Sequence, residues 1–279
     1  MKYLFAVSAA ASILLLSYSS NAADLTFKAA PTPTPVMTWT GFYVGATIGY
    51  GQALDSASYQ AIEPTFYGGA ITRGEIPRGL SPPARGFLGG GTFGYNYQPG
   101  ANYVVGIETD ISYSDVKGTR TFVSTPILFD PTITTQQTDR LKWFGTARVR
   151  GGALVTPSLL AYVTGGLAYG EVSSETHTTV SQGLIGAPPT CGPAGNIFCG
   201  DGSASKLRLG WTAGAGLEQA LPNGWSLKAE YLYYDLGSVS YPFFTQQSPP
   251  QSAVMTVDSS AKGHIGRIGL NYKFGATGQ

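Results

Sequence analysis

Two neighbouring stretches between residues 206 and 235 alternate apolar and polar residues for longer than a globular strand needs. This pattern limits the chain's fold more than any other feature. Leu207, Leu209, Trp211, Ala213, Ala215 and Leu217 hold the odd positions, against Lys206, Arg208, Gly210, Thr212, Gly214, Gly216 and Glu218 on the even ones. After Leu221-Pro222-Asn223-Gly224 the odd positions are apolar again through Trp225, Leu227, Ala229, Tyr231 and Tyr233, against Ser226, Lys228 and Glu230. Successive side chains of a strand point to opposite faces, so this is a two-stranded hairpin. Each strand runs for more than ten residues, whereas strands of globular domains peak at about 5 or 6 and a tilted strand crossing a bilayer needs about 9 to 11. One face carries full charges and glycines, as the interior of a small barrel would. The other is apolar with aromatics near its ends, where membrane interfaces favour them.

Directly opposed residues share a face, which fixes the register of this hairpin. Pairing Leu221 with Trp225 leaves Pro222-Asn223-Gly224 as a three-residue loop, expected as a type I turn with Gly in the left-handed position. Glu218 is then predicted opposite Lys228, Ala215 opposite Tyr231, and Ala213 opposite Tyr233.

The same alternation recurs over Trp39 to Gly51, Gly86 to Tyr97, Tyr103 to Val116, Leu141 to Val155, Leu159 to Val172 and His264 to Phe274. With the hairpin this makes eight strands. In the third, Tyr103, Val105, Ile107, Ile111 and Tyr113 face one way and Gly106, Glu108, Asp110, Ser112 and Ser114 the other. In the fourth, Leu141, Trp143, Ala147, Val149 and Val155 are expected outward and Lys142, Thr146, Arg148 and Arg150 inward. The connections alternate in length: Gln52 to Arg85, Lys117 to Arg140, Ser173 to Ser205 and Gly237 to Gly263 are long, and the others span a few residues. This rhythm predicts an all-β fold, an eight-stranded antiparallel up-and-down transmembrane β-barrel, with both termini on the periplasmic side. The 38 Gly, 17 Tyr and 13 Phe residues lean the same way.

The amino-terminal end adds an address. Met1-Lys2, the apolar run Tyr3 to Leu16 and then Ser20-Asn21-Ala22 read as a secretory signal over residues 1–22; the run is shorter than the roughly 20 residues a spanning helix needs. An exported chain that enters a membrane without a helical span does so as a closed barrel, which pairs every backbone group internally. That places the chain in the outer membrane of a Gram-negative bacterium. Residues 23–38, with Pro31-Thr32-Pro33-Thr34-Pro35, form an extended periplasmic lead-in, residues 39–274 the barrel, and residues 275–279 a tail. Cys191 and Cys199, the two cysteines of an exported chain, are expected to close a small loop as a disulfide; a metal pair would want a histidine at ligand spacing, and none is there. A net charge of +1 argues against nucleic acid as partner.

Glu108, Asp110, Lys142, Arg148, Arg150, Glu218, Lys228, Glu230 and Arg267 are predicted to face the lumen. An eight-stranded barrel has an interior only wide enough for side chains to fill, and both signs occur at similar depths, so they read as a network of mutual pairs. Glu108 and Asp110 are expected beside Arg150 and Arg148. Gly89-Gly90-Gly91-Thr92-Phe93-Gly94 fits a dinucleotide-binding pattern, yet no helix follows it, and its glycines are read as strand positions that make room for long side chains opposite. His177 falls in a long connection and His264 opens the last strand, and neither has a Ser and an acid at strand spacing, so no catalytic, cofactor or metal site is assigned. Trp39, Tyr97, Tyr103, Trp225 and Tyr272 are expected to form a periplasmic aromatic girdle, and Tyr113, Trp143 and Trp211 an outer one. Aromatics of the long connections, among them Tyr59, Phe66, Tyr67, Phe129, Tyr241, Phe243 and Phe244, serve adhesion or cover the barrel mouth.

Several of these stretches carry a resemblance. They are the Pro-rich lead-in before Trp39-Thr40-Gly41-Phe42-Tyr43-Val44-Gly45, Gly89-Gly90-Gly91 to Gly94-Tyr95-Asn96-Tyr97-Gln98, Gly106-Ile107-Glu108-Thr109-Asp110, Trp143 to Arg150, Gly214-Ala215-Gly216-Leu217-Glu218, Lys228 to Gly237, and Arg267 to Phe274. Through them the whole mature chain resembles the small outer-membrane β-barrels of alphaproteobacteria, the immunogenic, opacity-like porin family. Members of that family usually end on the aromatic that stands here at Phe274, whereas Gly275 to Gln279 follow it. The resemblance implies a structural, surface-exposed barrel that supports the envelope and contacts host or environment. A small-solute or ion channel is the second expectation, and an adhesin or haem-binding surface protein the third. Its partners would be outer-membrane lipid, periplasmic chaperones, the barrel-assembly machinery and ligands met by the long loops.

Overall fold

A computed structural model describes residues 38–125, 132–181, 191, 199–245 and 253–274. The stretches expected to be the signal, nearly all of the lead-in and the tail, and Phe129, lie outside these residues. In chain order the elements are β1 (Gly41–Ala53), β2 (Ala57–Ala61), helix α1 (Tyr67–Arg73), β3 (Gly79–Leu80), β4 (Arg85–Tyr97), β5 (Tyr103–Ser124), β6 (Thr132–Thr156), β7 (Leu159–Ser181), β8 (Gly200–Ala220), β9 (Trp225–Thr245) and β10 (Met255–Lys273). β1 pairs with β4, each strand from β4 to β10 pairs antiparallel with the next, and β10 returns to β1, closing a ring of eight strands. Closure pairs the backbone all the way round, which a chain in hydrocarbon requires. β2 lies on the Met255–Ser259 part of β10, beyond the point where β1 has ended, and β3 lies on β2.

The alternation read from the sequence sorts the two faces. Along β5, Tyr103, Ile107, Ile111 and Tyr113 are exposed, while Glu108, Asp110, Ser112 and Ser114 are buried in the lumen. Tyr103 and Tyr113 stand ten residues apart on this strand, about 33 Å of strand, which at a tilt of about 40° is about 25 Å of height, the thickness of a membrane barrel's apolar band.

Hairpin register is as predicted: Glu218 lies opposite Lys228, Ala215 opposite Tyr231 and Ala213 opposite Tyr233. The turn type differs. Asn223 (φ 60°, ψ 32°) and Gly224 (φ 79°) are both left-handed, and the Trp225 N–H donates to the Pro222 carbonyl. That is a type I′ turn, whose twist matches that of the flanking strands better than type I. The loop still holds three residues because the Leu221 N–H donates to the Trp225 carbonyl at 2.8 Å.

The connections expected to be long loops are instead largely strand. β5 continues to Ser124, β6 starts at Thr132 and runs for 25 residues, β7 reaches Ser181, β8 starts at Gly200, β9 reaches Thr245 and β10 starts at Met255. These extensions are rich in Thr, Ser and Gln on both faces, because beyond the bilayer the outer face no longer needs to be apolar, and the apolar signal disappears while the pairing persists. The first strand begins at Gly41 rather than Trp39.

A bulge between Leu141 and Trp143 shifts the register of β6. Leu141 therefore turns into the lumen, 6% exposed, and Lys142 turns out, both opposite to expectation. A bulge adds a residue without a partner and so inverts the faces on one side of it, which alternation alone does not reveal.

Candidate functional site

The lumen is filled in tiers. At the end holding the short turns, Trp39 sits just before β1 and is 4% exposed, packed with Val104, Leu160, Tyr162 and Ala220. Its indole N–H donates to the Pro157 carbonyl at 3.3 Å, and its backbone N–H to Gln98 Oε1 at 2.9 Å. Trp39 is therefore a plug, not the girdle residue expected of it. Lying ahead of the first paired residue, it is free of the strand's inside-outside alternation.

Above the plug lies the charge network. Arg148 Nη1 donates to Glu230 at 2.9 Å, and its Nη2 to Asp110 at 3.2 Å and to Glu108. Arg267 grips Asp110 with two bonds, at 3.1 and 3.0 Å, and reaches Glu230 from Nε at 2.7 Å. Lys228, fully buried, donates to Glu108 at 2.7 Å, and Arg150 pairs with Glu218 at 2.5 Å. Four acids (Glu108, Asp110, Glu218, Glu230) meet four bases (Arg148, Arg150, Lys228, Arg267), so the cluster is neutral. The expected neighbourhood of Glu108 and Asp110 with Arg148 and Arg150 is present, with the direct register contact at Glu108 and Arg148. Lys142 is not part of it: it sits outside, bonded to Glu171 and Ser205 at 2.8 and 2.9 Å.

Sequence reasoning missed the neutral members. Tyr43 donates to Glu108 at 2.7 Å, Tyr162 to Glu230 at 3.1 Å, and Ser226 and Asn271 to Glu218 at 2.6 and 2.9 Å. The Arg150 guanidinium also stacks over the Tyr162 ring at 4.1 Å from its centre. These residues occupy inward positions of their strands, which was the available signal, but only the charges drew attention. Glycines make the room expected of them at Gly216, where an added Cβ would come within 2.6 Å of the Tyr162 ring.

An apolar tier follows, formed by Leu88, Val116, Phe144, Leu232, Tyr234 and Ile265. Between it and the network a void lined by Thr47, Ser112, Phe144 and Arg267 measures about 10 Å³, at the lower limit for one water. Farther along, within the strand extensions, Tyr59 and Tyr241 surround Gln137, Asp139, Ser174 and Thr176 in a second buried hydrogen-bonded cluster. Burial pushes the Asp139 carboxyl up, partly offset by hydrogen bonds from Ser174, Gln137 and Ser259. Asp55, beside it, is pushed up to about 8 by burial first and the Asp139 charge second. Tyr67, Ala70 and Ile76, on and after α1, belong to the same apolar cluster as Tyr59 and Tyr241.

Of the eight aromatics expected in the girdles, all but Trp39 lie on the outer wall of the ring. Trp225 and Tyr272 meet at 5.1 Å between ring centres, Trp211 meets Tyr233 at 5.3 Å and Trp143 meets Tyr169 at 6.1 Å. Tyr97, Tyr103 and Tyr113 are exposed on the same outer wall. Cys191 and Cys199 are joined as a disulfide, packed against Ile133 and Val180 at the tips of β6 and β7. His177 bonds to Asp201, and His264 to Tyr231; among the described residues neither is bonded to a serine hydroxyl.

Comparison with known proteins places these features in context. Residues 8–274 match the family model described as outer membrane protein beta-barrel domain. The 31 kDa outer-membrane immunogenic protein of Brucella melitensis is 32% identical over 264 residues, spanning 93% of this chain and 95% of that protein. The 25 kDa outer-membrane immunogenic protein of the same organism is 26% identical over 280 residues, spanning 98% and 99%. Among solved structures, outer membrane protein OprG from Pseudomonas aeruginosa aligns with 84% of this chain and 96% of its own, at 13% identity and a TM-score of 0.46.

Proposed function

The chain belongs to the outer membrane protein beta-barrel domain family, and from that premise we propose that it is a structural, surface-exposed barrel of the outer membrane, with both termini in the periplasm. The observation that carries this reading is the filled lumen. A plug at Trp39, a neutral network of eight ionised side chains and an apolar tier at Phe144 follow one another along the axis. A wall of this kind anchors and spaces the membrane around it, and among the described residues its interior is occupied by side chains, as expected for eight strands. This favours the structural reading over a small-solute channel, because wide aqueous pores are built from about 16 to 18 strands.

The ends of the ring support this orientation. The short turns at 98–102, 157–158 and 221–224 lie with the beginning of β1 and the end of β10, while the extensions lie at the far end. Short periplasmic turns and longer outer segments are the habit of such barrels. The extensions, capped by α1 and held at one tip by the Cys191–Cys199 disulfide, then stand outside the cell as a rigid surface available to host or environment. Deleting the gene is expected to sensitise cells to detergent and to large antibiotics, with full rescue by the intact chain. Protease added to whole cells should cut the extensions and spare the short turns. Unchanged sensitivity in the deletion strain contradicts the structural role, and cleavage at the short turns contradicts the orientation.

A further inference from the structure

Arg85 on β4, Lys117 on β5 and Arg140 on β6 stand directly opposite one another: Arg85 is the register partner of Lys117, and Lys117 of Arg140. All three are exposed on the outer wall. They are set just past the aromatics that mark the far edge of the apolar band, at two residues from Phe87, four from Tyr113 and three from Trp143. That is about 7 to 13 Å along tilted strands, the depth of lipid headgroups. Their neighbour Lys142 is neutralised by Glu171 at 2.8 Å, whereas among the described residues none of the three has an ion-pair partner, Asp115 on the same face of β5 included.

Like charges directly opposite on neighbouring strands destabilise a sheet, and two consecutive such pairs call for an anion from outside the chain. We propose that Arg85, Lys117 and Arg140 form a docking row for the phosphate-bearing headgroup of an outer-leaflet glycolipid. With strands about 4.8 Å apart the three cations span about 10 Å. This suits a headgroup carrying two phosphates better than the single phosphodiester of a phospholipid. Charge complementarity supplies the affinity, and the aromatics below the row receive the first part of the acyl chains. The choice of leaflet rests on the orientation proposed above; the headgroup chemistry does not.

The test uses the refolded full-length barrel in neutral micelles, its folded state verified by heat-modifiable gel migration, with native mass spectrometry as the readout. The probes are bis-phosphorylated lipid A, the same lipid after enzymatic dephosphorylation, and phosphatidylglycerol. Each surface cation near an anionic headgroup contributes about five-fold, partly screened by salt. The variant R85Q/K117Q/R140Q is therefore expected to bind bis-phosphorylated lipid A more than ten-fold more weakly than wild type. Lys262→Gln, which removes an outward cation lying opposite Asp235, should bind like wild type. Dephosphorylated lipid A should not distinguish the variants. Without anionic lipid the triple variant should unfold at higher urea than wild type, because the repulsion is gone, and added lipid A should reverse that order. Equal lipid A binding by wild type and triple variant overturns the proposal, as does an unchanged or lowered urea midpoint without lipid. A phosphatidylglycerol response as strong as that to lipid A overturns the two-phosphate headgroup. Protease protection of the extensions on whole cells bears on the orientation alone and leaves the micelle result intact.

Discussion

Replacing Arg148 by Met should destabilise the barrel more than any surface change, because this guanidinium holds three carboxylates at once, Glu108, Asp110 and Glu230. The substitution keeps most of the apolar stem and removes one of four positive charges from a cluster balanced four against four, leaving a net negative charge where nothing is exposed. Removing one partner of a buried ion pair costs about 3 to 5 kcal/mol, and that is the expected loss. Glu230→Gln should cost a similar amount for the opposite reason. The double variant R148M/E230Q restores neutrality and leaves every other ion partnered, since Arg267 keeps both bonds to Asp110 and Lys228 keeps Glu108. Its loss should fall short of the sum of the singles by about 2 kcal/mol or more. Urea unfolding in detergent, followed by tryptophan fluorescence and by gel mobility of unboiled samples, measures all three. Additive losses, or a single-variant loss below about 1 kcal/mol, would refute the claim that charge balance governs this tier.

Further expectations concern the other tiers. Gly216→Val puts branched carbons where a Cβ already comes within 2.6 Å of Tyr162, and overpacking of this kind costs about 1 to 3 kcal/mol, seen as a lowered urea midpoint that Tyr162→Phe does not restore. Asp55 keeps its proton to about pH 8 when folded and only to about pH 4 when unfolded. The folded chain thus binds the extra proton in that window, and stability falls as pH rises through it and levels off above. Asp55→Asn should flatten this decline and be the more stable form at pH 9, checked by urea midpoints at pH 5 and pH 9. Trp39→Ala should cost about 3 to 5 kcal/mol as a buried aromatic does, while Trp225→Ala, lipid-facing, should cost clearly less in the same titration.

The ring, its strand number and the hairpin register could be read from the sequence because one side of each strand meets hydrocarbon and the other a packed lumen. That contrast enforces strict alternation, as at Trp225 to Tyr233. Where it ends, legibility ends: Thr132 to Thr138 pairs with β7 in a wall polar on both sides, and its composition reads as a loop. The eight charges of the network were recognisable because glutamate and arginine on an alternating strand have nowhere else to go. Tyr43 and Tyr162, which complete their hydrogen bonds, look like any barrel tyrosine. Lys142 and Leu141 changed faces through a bulge that no residue type announces, and Trp39 changed roles because it precedes the pairing that would have fixed its direction. The row of Arg85, Lys117 and Arg140 lay in segments expected to be loops, so its register emerged only with the extended strands.

A lumen closed by side chains passes no sugar, and liposome swelling in sugars measures this. The purified monomer, reconstituted with a known pore of the same membrane as the positive control, is expected to leave the swelling rate at that of protein-free liposomes for arabinose and for larger sugars alike. Rapid swelling by the wild-type monomer would contradict the packed tiers at Trp39, Arg148 and Phe144 and would establish the chain as a channel.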